Sequence, residues 1–398
     1  MLKWFLSSTV REASAMYKHV RKLLSHQRDI LTPQAVGAVE VSLGSLKEAL
    51  ANADKATLQT RMQDLEKVAT KWIRPYPNAA WRENFEVLLV ALAVAMSIRT
   101  FFLQPFKIPT GSMQPTLFGV NSDNLLNQKE FKDFKIPTGL ERVREWFAGI
   151  SYVHVVADED GILQQITEPT RILIFNIKQT VWVGGRSYTI WFPPDYGAVP
   201  LIRRAELEPG RPFKKGEDIV KVRVQAGDHL FVDRLTYNLR PPNRGEIVVF
   251  ETKGIDRLPQ DQFYIKRLVG LGGEEVRIGD DRHLIINGKR LDAATPHFEK
   301  VYSFNPAQPP HDSRYSGHVN DKVAEPYHPA WQGPLAPNFP DSNTTYKIDP
   351  GYLMVMGDNT MNSFDSRGWG EFSSTNVIGK SWFVYWPISD RFGWGYHR

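Results

Sequence analysis

The 398-residue chain contains no cysteine. Disulfides, a thiol nucleophile and thiolate metal sites are therefore excluded, and a fold facing an oxidising space loses nothing by that absence. Long apolar runs are also missing. The most apolar stretch, Val87–Ile98, has twelve residues, where a bilayer-spanning helix takes about 20, and it reaches seventeen, Val87–Leu103, only by including Arg99. No block of like charges stands out. The formal net charge of +5 lies largely in the first eighty residues, so nucleic acid is not an expected partner. Met1–Leu6 is apolar apart from Lys3, but Arg11, Glu12 and Lys18 follow too soon for the apolar region of a cleavable signal peptide. The histidines are scattered, and no metal or cofactor is expected.

What is present begins with helical spacing. Apolar residues recur helically from Leu2 to Leu24, and again from Leu46 through Leu58, Leu65 and Trp72. The two runs predict an antiparallel helical hairpin over 1–80, joined by the stretch from Thr32 to Gly44. Pro75-Tyr76-Pro77 ends that pattern, and Trp81–Phe102 follows. Trp81, Phe101 and Phe102 near its ends, Lys71, Arg74 and Arg82 before it, and an Arg99 able to snorkel predict a single transmembrane helix over 81–104. The positive flank places residues 1–80 in the cytoplasm and the remainder outside.

Beyond the helix the chain reads as mainly β. Phe118–Gln225 is an insertion with a short amphipathic helix, Leu140–Phe147, and strands at Tyr152–Ala157, Arg171–Ile177, Thr180–Val183 and Ser187–Phe192, the last two joined at Gly184-Gly185. Within it Phe134–Gly139 repeats Phe106–Gly111 letter for letter, with Leu140 where the first copy has Ser112. Strands are expected at His229–Asp233, Glu246–Glu251, Phe263–Val269, Glu275–Ile278 and Leu284–Ile286, with a hairpin at Asn287-Gly288. Residues 293–349, poor in periodicity, predict an irregular excursion over the surface, and 350–398 return to the sheet through Tyr352–Met356 and Ser381–Trp386.

One segment is built to present a nucleophile. In Phe106–Leu117, Pro109, Gly111 and Pro115 forbid a regular helix, so Ser112 is expected on a kinked segment with its hydroxyl offered rather than packed. A serine needs a base. His229 is the one histidine in a strand near this segment and is expected to be structural. Lys266, in Phe-Tyr-Ile-Lys-Arg-Leu-Val, shares a strand face with Tyr264 and Leu268, and apolar surroundings would lower its pKa toward the neutral, basic form. A third stretch, Gly357-Asp358-Asn359 to Ser363, Asp365, Ser366 and Arg367, concentrates hydroxyls and an ion pair that could orient a buried lysine.

Ile108-Pro-Thr-Gly-Ser-Met-Gln-Pro-Thr-Leu117, Gly227–Asp233 continuing to Arg244–Phe250, Tyr264–Gly270 and Gly357–Arg367 resemble, in order, the boxes of bacterial type I signal peptidases. The resemblance covers 85–117, 226–292 and 350–398, and implies a coiled antiparallel β-sheet catalytic core at 105–117 and 226–292, completed by 350–398. It implies that Ser112 is the nucleophile, Lys266 the general base, Ser363 the hydroxyl bonded to that lysine, Asp365 and Arg367 a supporting ion pair, and Thr110 with the Ser112 amide the oxyanion site. It assigns shallow substrate pockets to Ile108, Pro109, Met113, Leu117, Tyr264 and Ile265. The function it implies is removal of amino-terminal signal peptides from exported preproteins at the outer face of the bacterial cytoplasmic membrane, with the bilayer and the secretion machinery as partners. Thr110 in place of serine, and Gly272-Gly273 in place of Pro-Gly, depart from the family's usual pattern. The alternatives are a maturation peptidase for one secreted product, a self-cleaving repressor with a related dyad, and a non-catalytic membrane-anchored binding domain.

Overall fold

The computed structural model describes residues 8–52, 55–74, 79–127, 134–173, 175–310 and 315–394. Met1–Ala93 and Val94–Arg398 form two compact units. The first contains three helices, α1 (Ser8–Gln27), α2 (Pro33–Asn52) and α3 (Lys55–Trp72), where the sequence pattern suggested two. The stretch taken for a connector is the first half of α2. Pro33 starts that helix without giving up a needed N–H, Thr32 Oγ1 accepts from the Ala35 N–H at 3.3 Å, and Val39, Leu43 and Leu46 continue the helical spacing into the core. Ala13, Val20 and Leu24 of α1, with Leu58 and Leu65 of α3, complete that core. The Gln27 side chain bonds the Arg74 carbonyl at 2.8 Å and the Arg74 N–H at 3.1 Å, fixing the end of α1 to the end of the bundle. Leu2 and Leu6 of the expected first helix lie outside the described residues.

Helix α4 (Ala79–Phe101) includes Trp81–Phe101, the one helix among the described residues long and apolar enough to cross a membrane; none of its apolar span is buried.

The second unit is mainly β. Its strands are β1 (Leu103–Lys107), β2 (Asn121–Asn124), β3 (Ile150–Val156), β4 (Gly161–Ile166), β5 (Thr170–Ile172), β6 (Phe175–Val183), β7 (Arg186–Trp191), β8 (Pro212–Phe213), β9 (Asp218–Gln225) and β10 (His229–Asp233). They continue with β11 (Ile247–Glu251), β12 (Phe263–Leu271), β13 (Glu275–Ile278), β14 (Leu284–Ile286), β15 (Lys289–Arg290), β16 (Tyr346–Lys347), β17 (Tyr352–Met356), β18 (Phe372–Ser373) and β19 (Val377–Trp386). Helix α5 (Gly139–Phe147) precedes β3. The principal sheet is antiparallel throughout, in the order β1-β10-β19-β11-β12-β17-β18. Register shifts within the β10–β19, β11–β19 and β12–β17 pairs put bulges along its middle, and bulges curl a sheet.

The sequence 118–225 builds two smaller sheets, β2-β9-β3 and β5-β6-β4-β8 with β7 beside β6, around a core that includes Val153, Leu163, Val181, Val183, Val220 and Val222. The run Arg171–Ile177, expected as one strand, is broken: Ile172 pairs with Phe175, Leu173 takes a φ of 54°, and β5 and β6 run antiparallel. The described residues of 293–349 carry only short helical turns and β16, with most of the rest irregular, but they are not a surface excursion. Phe298, Val301, Tyr302, Ala336 and Phe339 are buried against β13 and β14, so the segment supplies core that a four-stranded sheet could not supply alone.

Candidate active site

Three segments distant in sequence meet at one end of β12. Adjacent strand residues point to opposite faces, so Lys266 stands opposite Val248 while Arg267 stands opposite Ile247. Lys266 Nζ donates to Ser112 Oγ at 2.7 Å and to the Ile265 carbonyl at 3.1 Å, and lies 5.6 Å from the centre of the Tyr264 ring. Both Lys266 and Ser112 are buried, so Ser112 is packed against the lysine and not displayed to solvent as its kinked setting suggested. Burial lowers the ammonium pKa to about 8; the Asp365 and Asp358 carboxylates oppose the shift without cancelling it.

The loop carrying Ser112 is closed by one residue. Asp228 accepts the Ile108 N–H on its carbonyl at 2.9 Å, gives its own N–H to the Phe118 carbonyl at 2.8 Å, and accepts the Phe118 N–H on its carboxylate at 2.7 Å. Arg391 completes the carboxylate with bonds of 2.9 to 3.2 Å. A side chain at Gly119, just past the loop, would stand 2.2 Å from the Thr110 carbonyl carbon, and one at Gly227, in the segment packed on the loop, 1.9 Å from the Ile108 oxygen, so these close approaches require glycine at both positions. From the turn after β17, Asn359 holds the loop's centre: its N–H bonds the Ser112 carbonyl at 3.0 Å and its Nδ2 the Gly111 carbonyl at 3.0 Å.

Two buried ion pairs brace the far side. Arg367 grips both oxygens of Asp365 at 2.9 Å, and the Gly357 N–H adds a third bond at 2.9 Å. Burial pushes the Asp365 carboxyl up, but the Arg367 charge and these hydrogen bonds outweigh it and hold the group below the usual carboxylate range. Arg267 grips Asp358 at 2.7 and 2.6 Å, and Thr116 donates to the same carboxylate. The sequence marked Asp358 only as part of a turn and did not pair it with Arg267; the available signal was a guanidinium inside an apolar strand, on the face opposite the lysine.

Other expected residues lie elsewhere or differently. Ser363 is buried, but its hydroxyl is not among the partners of Lys266 Nζ. It packs on Gly357 and lies near Asp365, helping to lower that carboxyl without a hydrogen bond of regular geometry. Ile108, Met113 and Leu117, expected to line substrate pockets, are core residues packed with Leu230, Val232, Ile247, Val249 and Val384. Their apolar character serves the loop's attachment to the sheet, and no surface of theirs is open to a peptide. Pro109 and Thr110 are exposed, and Tyr264 and Ile265 half-buried. His229 is remote from the dyad, edge-on to the rings of Trp386 and Tyr385, and burial lowers its pKa to about 4. Among the described residues no group of three or more histidine or carboxylate side chains is arranged to hold a metal.

A family model described as "Signal peptidase, peptidase S26" matches residues 81–143 and 218–386. A probable signal peptidase I-2 from Synechocystis sp. is 29% identical over 42% of this chain and 58% of its own length. Signal peptidase I T of Bacillus subtilis is 32% identical over 41% of this chain and 67% of its own. The chain thus spans less than two thirds of the first of these relatives. The crystal structure of a signal peptidase I from Enterococcus faecalis is 26% identical, covering 35% of this chain and 97% of that chain, with a TM-score of 0.22.

Proposed function

The chain belongs to the signal peptidase family, peptidase S26, and on that premise we propose that it is a membrane-bound serine endopeptidase that removes amino-terminal signal peptides from exported preproteins, with Ser112 as nucleophile and Lys266 as general base. The observation that carries the reading is the 2.7 Å contact between a buried lysine and a buried serine inside the matched segments. A lysine whose pKa is brought down to about 8 has a neutral fraction at neutral pH that an ordinary lysine lacks.

The chemistry follows acyl transfer. Neutral Lys266 accepts the Ser112 proton as Oγ attacks the scissile carbonyl. The oxyanion is met by the Ser112 N–H and the Thr110 hydroxyl, and the leaving amine takes the proton from Lys266 as the carbon–nitrogen bond breaks. Lys266 then deprotonates water, which attacks the acyl ester and releases the signal peptide with a new carboxylate, returning Ser112 its proton. Asn359 and Asp228 hold the Ser112 loop at its centre and ends, while Asp365–Arg367 and Arg267–Asp358 keep the buried lysine's surroundings rigid. The exposed Pro109 and the half-buried Tyr264 and Ile265 are the surfaces left for an extended substrate, which would lie there as an added strand. Trp81–Phe101 is the anchor, with residues 1–80 cytoplasmic, the β unit on the outer face of the bacterial cytoplasmic membrane, and the secretion machinery nearby.

The test is cleavage of a signal-peptide-bearing preprotein by the full chain in lipid. The parent should cut after a small-X-small site, and Ser112→Ala and Lys266→Ala should each lose several orders of magnitude. Equal cleavage by parent and variants would remove the dyad from the reaction.

A further inference from the structure

The segment 144–217 lies outside the family match, and it carries the most exposed apolar group in the β unit. At the turn between β5 and β6, Leu173 is 90% exposed, Ile172 62% and Phe175 63%. Beside them, where β7 ends against β6, Trp191 is 65% and Phe192 73% exposed, and the Phe192 N–H bonded to the Ile177 carbonyl at 2.9 Å holds the two hairpins together at this end. Five large apolar side chains therefore project from one end of a rigid, paired sheet.

Neither local folding nor the core accounts for them. The core of this part of the chain is complete without them, and a β-turn ordinarily carries Gly, Asn, Asp or Ser. Charge at this end leans positive: Arg171 and Lys178 are exposed near the tip, Asp195 beside it is paired with Lys107, and Glu168 lies further along the chain before β5. Trp191 and Phe192 also line one side of a cavity of about 400 Å³ whose other wall is α5 and β3, while Ile172, Leu173 and Phe175 lie outside it. Aromatic and aliphatic side chains bordered by cations are what the headgroup layer of an anionic bilayer accepts, with the rings at the acyl boundary and the cations at phosphate.

We propose that Ile172, Leu173 and Phe175, with Trp191 and Phe192, insert into the interfacial layer of an anionic lipid bilayer and give the β unit a membrane contact separate from its helix. The inference rests on the reading of Trp81–Phe101 as a membrane span, and takes nothing from the assignment of catalytic roles.

Absence of native cysteine makes the test direct. Single-cysteine variants Leu173→Cys, at the tip, and Ser187→Cys, at the opposite end of the β6–β7 hairpin and about 23 Å away at the rise of an extended strand, would be labelled with an environment-sensitive fluorophore. The full chain would be reconstituted into vesicles of phosphatidylcholine and phosphatidylglycerol. Retention after alkaline washing reads the span separately. The label at 173 should be quenched severalfold more by nitroxide lipid than the label at 187, and shielded from iodide present on both sides of the membrane. Adding Phe192→Asp and Ile172→Asp should abolish the difference. A label at 173 open to iodide and indifferent to nitroxide lipid would overturn the proposal. So would one shielded from iodide but indifferent to nitroxide lipid, which would mean that protein covers the tip.

Discussion

Lys266 and Arg267 are neighbours in β12, yet their side chains end in unlike surroundings: the ammonium on Ser112 Oγ at 2.7 Å, the guanidinium on the Asp358 carboxylate at 2.6 Å. The strand's alternation gives the two cations different partners. Arg267 is paired with a buried carboxylate, whereas Lys266 faces a hydroxyl and burial works against its proton.

The first consequence is a pH profile. If Lys266 must be neutral to act, kcat/KM should rise with pH through about 8, falling close to tenfold per unit below that point. Initial rates on a preprotein between pH 5 and 10 would show it. A flat profile across this interval would remove Lys266 as the base.

Stability should move with the same group. The folded pKa of about 8 lies below the ordinary 10.5, so the unfolded chain binds more protons between these values, and stability rises with pH there. The cost of burying the lysine is fully present below pH 8. Lys266→Met, inactive, should therefore be more stable than the parent below pH 8, by on the order of 1 to 3 kcal/mol, with the gain fading toward pH 10.5. Thermal unfolding of both chains in detergent across this range checks the sign.

The Arg267–Asp358 pair should be costly to halve. Arg267→Met leaves a buried carboxylate unpaired and should destabilise by about 3 to 5 kcal/mol, whereas Arg267→Met with Asp358→Leu should recover much of that. Arg267→Lys keeps the charge but not the two-pronged grip and should rescue poorly. Chemical unfolding of the three variants separates the outcomes.

Asn359 offers a test of positioning. Its bonds to the Gly111 and Ser112 carbonyls hold the nucleophile's backbone. Asn359→Ala removes the side-chain bond and should lower kcat by about ten- to a hundredfold with little change in KM, the cost of about an ångström of misplacement. An unchanged kcat would show that Asp228 and the Asn359 N–H, which the substitution keeps, suffice to fix the loop.

If the Thr110 hydroxyl meets the oxyanion as proposed, Thr110→Val should lower kcat by about a hundred- to a thousandfold, and Thr110→Ser should stay near the parent. Gly119→Ala, whose new methyl group meets the Thr110 carbonyl carbon, should imitate Thr110→Val by moving the residue without changing it. Single-turnover rates on one preprotein would compare all three.

Much of this molecule was set by local sequence. Short apolar runs marked most strands of the principal sheet, Asn287-Gly288 marked a hairpin with φ of 49° and 76°, and the resemblance to signal peptidase boxes marked the segments of Ser112, Lys266 and Gly357–Arg367. What local sequence left open was burial and partnership. Pro33 reads as a breaker until Thr32 is seen to cap a helix beginning there; Ile108, Met113 and Leu117 read as pocket walls until the sheet beneath them is in place. The repeated hexapeptide shows the limit most clearly. Phe106–Gly111 runs from β1 into the Ser112 loop, with Ile108 tied to Asp228, while Phe134–Gly139 leads into α5 with Gly139 at a φ of 60° and Phe134 stacked on Tyr152. Identical residues carry identical propensities, so the difference comes from partners contributed by distant strands. The pKa of Lys266 has the same origin: the sequence supplied the amine, and only the packing around it removed the water that would keep it charged.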